Sequence, residues 1–102
     1  MKPPALSPAA RADYFEILDW LINNNQQAAQ SFQDAFQSSG MMIVDHPKIG
    51  VEKPSIIASP VRLLMMQGFP YVVLYDPDPT PPLILRILHG ARDLPDLLRN
   101  GE

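Results

Sequence analysis

The chain contains no cysteine, which excludes disulfides, thiolate zinc sites and a cysteine nucleophile. No apolar run approaches the ~18 residues that would suggest a membrane-spanning helix. The N-terminus also lacks a basic region followed by an apolar stretch, the mark of a secretory leader. The sequence therefore reads as that of a cytoplasmic protein with no membrane partner. Positive charge is scarce: eight Lys and Arg stand against eleven Asp and Glu, a formal net charge of −3. Proteins that clamp nucleic acid through its phosphates usually present a basic surface. Direct, sequence-specific nucleic-acid binding by this chain alone is not expected. His46 and His89 lie far apart with no glutamate-rich frame, so ligand spacing indicates no metal site, and no cofactor is expected.

What is present is an ordinary globular composition, 46% hydrophobic over 102 residues. That is enough for one domain, spanning 1–102, around one core. The twelve prolines cluster at the N-terminus, near 47–60 and in 77–82, where they mark connections.

The most informative stretch is 71–98, YVVLYDPDPTPPLILRILHGARDLPDLL. Tyr71–Tyr75 and Leu83–Leu88 have the length and composition of largely buried strands. Between them, Asp76-Pro-Asp-Pro-Thr-Pro-Pro cannot continue a ladder, because each proline lacks a backbone N–H. It reads as a rigid hairpin loop. His89-Gly90-Ala91-Arg92-Asp93 then leaves the sheet, and a short apolar tail follows over 94–98.

Upstream, residues 1–6 read as a weak edge strand. Ser7-Pro8 is a helix start, since Ser is a favoured N-cap and Pro suits the first helical position. Ala10, Tyr14, Ile17, Leu18, Leu21 and Ile22 share a helical face, with Arg11, Asp13, Glu16 and Asp19 opposite and Phe15 and Trp20 at the margins. Asn23-Asn24-Asn25 ends this helix and caps a second over about 26–45. Its inner stripe is Ala28, Ala29, Phe32, Ala35, Phe36, Ser39, Met42 and Ile43, and Ser39-Gly40 permits a close approach. Residues 48–60 read as a loop and Val61–Met66 as a strand. The order β-α-α-β-β-β plus tail implies an α+β domain, with an antiparallel helical hairpin packed on a small antiparallel sheet. Expected bounds are 8–24 and 26–45 for the helices, and 61–66, 71–76 and 83–89 for the strands.

His89, Arg92 and Asp93 form the most chemical-looking cluster. A histidine there suits acid–base work near neutral pH. The plainer reading is a hydrogen-bonded strand end with Arg92 paired to Asp93. Arg86 lies within an apolar strand. Pointing inward, it needs a carboxylate; pointing outward, it shares the open sheet face with Arg62. Lys48, Lys53 and Arg62 are either a small basic edge or ordinary solvated charge. Met65 and Met66 read as packing residues.

The whole order, with these residues, resembles the RelE/ParE superfamily of toxins from bacterial type II toxin–antitoxin modules. Leu6-Ser-Pro-Ala-Ala-Arg-Ala-Asp13 is similar to the family's first-helix opening. His46-Pro-Lys-Ile-Gly50 stands where many members carry Phe-Pro-x-Leu-Gly. Arg86-Ile-Leu-His-Gly-Ala-Arg-Asp-Leu-Pro95 is close to the ending of the ParE branch. The resemblance implies a toxin that poisons DNA gyrase and is neutralised in a complex with a cognate antitoxin. The antitoxin's C-terminal segment would cover apolar grooves on the helices and sheet, with Phe15, Trp20 and Phe36 as the exposed apolar margin. The target-binding candidates are Arg62, Arg86, His89, Arg92 and Asp93, acting in recognition with no catalytic role. The alternatives are a RelE-like ribosome-dependent mRNA endonuclease, or a homologue that has lost toxicity. RelE-like nucleases carry an Arg where this chain has Val72, an Arg at Arg92, and a tail Tyr where Leu98 stands. Only Arg92 matches, so the resemblance implies no nuclease activity.

Overall fold

Ser7 sets the first helix: its Oγ accepts from the Ala10 N–H at 3.0 Å, and Pro8 occupies the first turn. The computed structural model describes residues 2–100, with side chains placed from 2 to 95. A two-residue strand, β1 (Ala5–Leu6), precedes helix α1 (Pro8–Asn24). Asn25 serves two helices at once. Its N–H closes α1 on the Leu21 carbonyl, and its Oδ1 accepts from Ala28 to cap helix α2 (Gln26–Asp45). With one residue between them, the helices pack as a hairpin.

The remaining elements are β2 (Val51–Glu52), β3 (Arg62–Met65), β4 (Tyr71–Asp76), β5 (Leu83–His89) and helix α3 (Gly90–Asn100). The sheet order is β1-β5-β4-β3-β2. Pairing from β2 through β5 is antiparallel, as the short connections require, but β1 lies parallel to β5. The sheet is therefore mixed. A parallel pair needs a long crossover, and the helical hairpin with three strands between β1 and β5 supplies it. Two further differences from the sequence reading concern connections. The 48–60 loop contains β2, and the tail after His89 is helical. Pro95 is the sixth residue of α3, so the helix goes without the N–H that would donate to the Ala91 carbonyl.

The core forms on both sides of the sheet. On the helical side, Phe32, Ile43, Val73, Tyr75, Ile84 and Ile87 are buried together. An aromatic cluster ties the hairpin to the strands. Tyr14 lies 4.9 Å from Phe36, and Phe32 makes edge contacts with Phe69 at 5.7 Å and Tyr71 at 5.6 Å. On the other side, Leu63, Val72, Leu74 and Leu88 are covered by Ile57, Val61 and Leu94. The face expected to be open is closed by the 53–61 segment and by α3. Three apolar residues read as inner are exposed instead: Ile22 and Met42 on the helices, and Met65, which is 63% exposed beside buried Met66. A strand turns successive side chains to opposite faces, so adjacent methionines cannot share one core. Gly40 sits where an added Cβ would lie 3.1 Å from Pro4, so its close approach is to the N-terminal segment.

The exit from α2 is pinned by one buried ring. The Tyr75 hydroxyl donates to the Pro47 carbonyl at 2.7 Å and accepts from the Gly50 N–H at 2.8 Å. Burial pushes the phenol's pKa up, against smaller opposing effects of the Gly50 hydrogen bond and the Arg62 charge. Arg62 donates to the Gly50 carbonyl at 2.8 Å and to that of Lys48 at 3.2 Å. The His46–Gly50 stretch is thus a turn clamped to β3 and β4. Removing the hydroxyl in Tyr75→Phe strands a buried N–H and is expected to cost about 1–3 kcal/mol. The measurement is a lower urea midpoint at unchanged slope.

Candidate functional site

The far end of β5 is an edge strand, because β1 pairs only with Leu83 and Ile84. Unpaired edge groups invite foreign strands, and here side chains from the first helix satisfy them. Ser7 Oγ donates to the Leu85 carbonyl at 2.8 Å. Asp13 Oδ2 accepts from the Ile87 N–H at 3.0 Å. The same carboxylate holds Arg86 through two bonds, Nε to Oδ2 at 2.7 Å and Nη2 to Oδ1 at 3.0 Å. This bidentate geometry is the stronger form of an Arg–carboxylate pair, and it raises the Arg86 pKa. Asp13 was read on the outer face of its helix; it faces β5. The legible signal was Arg86 itself, a guanidinium in an apolar strand that needed a carboxylate.

Where β5 becomes α3, backbone and side chains cap each other. The His89 N–H donates to Asp93 Oδ2 at 2.8 Å, and the Arg92 N–H donates to His89 Nδ1 at 3.2 Å. This reciprocal arrangement resembles a capping box. Arg92 also grips Asp93 through Nε at 2.9 Å and Nη2 at 3.1 Å. Gly90 donates to the Pro70 carbonyl, which fastens the turn to the start of β4. The His89 ring stands edge-on to Tyr71 at 5.8 Å.

The Arg92 hydrogen bond holds the Asp93 carboxyl below its ordinary pKa, against partial desolvation. A carboxyl whose native pKa is depressed stabilises the fold above its unfolded value and loses that contribution as pH falls through the native one. The α3 cap should therefore be intact above about pH 4 and fail below it. The protection factor of the His89 amide, taken against intrinsic exchange at each pH, should fall over that acidic window and stay high at neutral pH.

These groups and α1 enclose a groove of about 670 Å³. Arg86, His89, Arg92, Asp93 and Trp20 all line it, so five of the sequence candidates converge. The other three do not. Arg62 pairs with Tyr75 across the strands, on the helical side of the sheet, whereas Arg86 pairs with Leu74 of the opposite side. The two arginines do not share a face, and Arg62 is engaged by the Gly50 and Lys48 carbonyls. Phe15 is 54% exposed on α1, and Phe36 is half-buried against Tyr14. The sequence reading missed Asp13, Glu16 and Tyr71 as lining residues. Among the described residues, no cluster of three potential metal ligands occurs, and no helix is long and apolar enough to cross a membrane.

A two-helix hairpin on a mixed sheet, with the last strand leading into a capped turn beside the first helix, is the architecture of the RelE/ParE toxin superfamily. The chain belongs to the ParE branch: the family described as "ParE toxin of type II toxin-antitoxin system, parDE" matches residues 5–94. Among solved structures, a chain of the chromosomal ParDE TA system from P. aeruginosa is similar in fold. Its TM-score is 0.69 at 20% identity, covering 87% of this chain and 96% of that one. No curated relative matches the chain by sequence.

Proposed function

We propose that this protein is an active toxin that arrests growth by binding DNA gyrase and trapping it on cleaved DNA. A cognate antitoxin neutralises it by covering the helical hairpin at Phe15, Trp20 and Phe36. The observation that carries this reading is the groove: the ParE-like ending Arg86–Asp93 is held rigid by two bidentate ion pairs beside an exposed tryptophan. Arginine and tryptophan are enriched among interface hot spots, and fixed charges set orientation and association rate.

RNA cleavage fits the residues less well. It needs an acid or base, and cations free to stabilise charge growing on phosphate. Val72, at one nuclease position, is buried in the sheet, and the side chain of Leu98 lies outside the described residues. Arg92 is already paired with Asp93.

The decisive experiment is a supercoiling and cleavage-complex assay with purified gyrase. Wild-type protein should stabilise cleaved DNA, and Arg92→Ala should weaken that effect about tenfold or more, as loss of an interface arginine does. A normal melting curve in the variant separates recognition from anchoring of α3. Gyrase that stays fully active at a toxin excess which still halts growth would reject the target and direct attention to the ribosome.

A further inference from the structure

The groove between α1 and the end of β5 carries a charge imbalance that its ion pairs leave in place. Asp13 is matched by Arg86, and Asp93 by Arg92. Glu16 also lines the groove, and among the described residues no ion pair or side-chain hydrogen bond engages it. Three carboxylates against two guanidiniums leave one negative charge in excess, and Glu16 is the carboxylate outside both bidentate pairs, acting on Arg92 only through the longer-range field. One helical turn further on, at the i,i+4 spacing that places side chains together, Trp20 lines the same groove and is 61% exposed. Phe69 and Tyr71 supply further aromatic lining.

We infer that this groove receives a cationic side chain, Arg or Lys, carried on an extended and partly apolar segment of a protein partner. Glu16 pairs with the charge and the Trp20 ring stacks on it. An indole face attracts a cation more strongly than other aromatic faces do, and a guanidinium can stack and pair at the same time. An acidic segment would meet two arginines that Asp13 and Asp93 already grip bidentately. The chain's net charge of −3 favours approach of a basic segment over an acidic one. The volume, about 670 Å³, admits a long side chain with its apolar neighbours. The inference rests on the groove being a protein-binding surface and adds the chemistry of what it binds.

Trp20 is the chain's single tryptophan, so its emission reports on the groove directly. The probes are the capped peptide Ala-Leu-Arg-Leu-Ala, the same peptide with neutral citrulline for arginine, and one with glutamate there. The arginine peptide should shift Trp20 emission to the blue and perturb the backbone amide signals of Glu16 and Trp20. It should bind about tenfold more tightly than the citrulline peptide, the combined size of a surface ion pair and a cation–π contact. Glu16→Gln should remove most of that preference without changing the melting curve. Glu16→Lys should transfer the preference to the glutamate peptide. Equal binding of the arginine and citrulline peptides, a preference that survives Glu16→Gln, or no perturbation at millimolar peptide would overturn the inference. Peptide binding is read on the isolated protein and gyrase poisoning in the cleavage assay, so failure of one is distinguishable from failure of the other.

Discussion

Gly50→Ala is expected to produce the largest loss of stability of any Gly→Ala change among the described residues. A Cβ at Gly50 would lie 2.7 Å from Tyr75 Cε1, 2.8 Å from its hydroxyl and 2.9 Å from the Leu63 carbonyl oxygen. The ring is fully buried and its hydroxyl is held at both the Pro47 and Gly50 ends of the turn. The carbonyl belongs to the β3 backbone. Neither neighbour yields cheaply in a close-packed interior. Relief would require the turn to lift from the sheet, breaking the Tyr75 and Arg62 bonds together, for a cost of about 3 kcal/mol or more. At roughly 4–8 °C per kcal/mol for a domain of this size, the melting temperature should fall by about 15 °C. Gly68→Ala provides the contrast. Its φ of 82° strains any side chain, but nothing lies within 4 Å of the added Cβ. It should cost only about 1 kcal/mol. Thermal melts of the two variants side by side separate steric exclusion from backbone strain, and a near-equal pair of shifts would show that the turn can relax.

The elements that the sequence made legible are those governed by local rules. Ser7-Pro8 and Asn25 act through capping bonds three residues long, and the helix and strand bounds followed from them and from periodicity. The parallel placement of β1 and the pairing of β2 depend on partners far along the chain, which no local pattern encodes. The same division runs through the site. The Arg92–Asp93 pair was readable because the residues are adjacent. The partner of Arg86 was readable as a chemical need but not as Asp13, because helical periodicity placed Asp13 with the solvent-facing charges. Asp13 is polar and still faces the sheet because an edge strand offers an N–H and a guanidinium where a core would offer only hydrocarbon. Arg62 shows the opposite case. Its charge suggested a surface role, and the structure adds that its Nη1 donates to two carbonyls of the α2 exit while its buried Nε has no partner.

Asp13→Ala is expected to destabilise the protein more than Arg86→Ala does, and the comparison decides what Arg86 is for. Asp13 makes three bonds in one place: two to the guanidinium and one to the Ile87 N–H. Its side chain is only 14% exposed, against 47% for Arg86. Truncating Asp13 leaves a partly buried strand N–H and a guanidinium without their acceptor. Hydrogen bonds to charged groups contribute about 1.5–3 kcal/mol, so a loss of roughly 3 kcal/mol is expected once the pair is included. Truncating Arg86 removes the exposed member and leaves Asp13 still bonded to Ile87. That change should cost about 1 kcal/mol, the upper range for an exposed pair. A chiefly structural Arg86 would make toxicity follow stability, so Asp13→Ala would lose more of both. A recognition role predicts the reverse order: Arg86→Ala keeps most of its stability and loses gyrase poisoning. Melting curves and cleavage-complex yields on the same two preparations distinguish these cases, because the two readings rank the variants in opposite order.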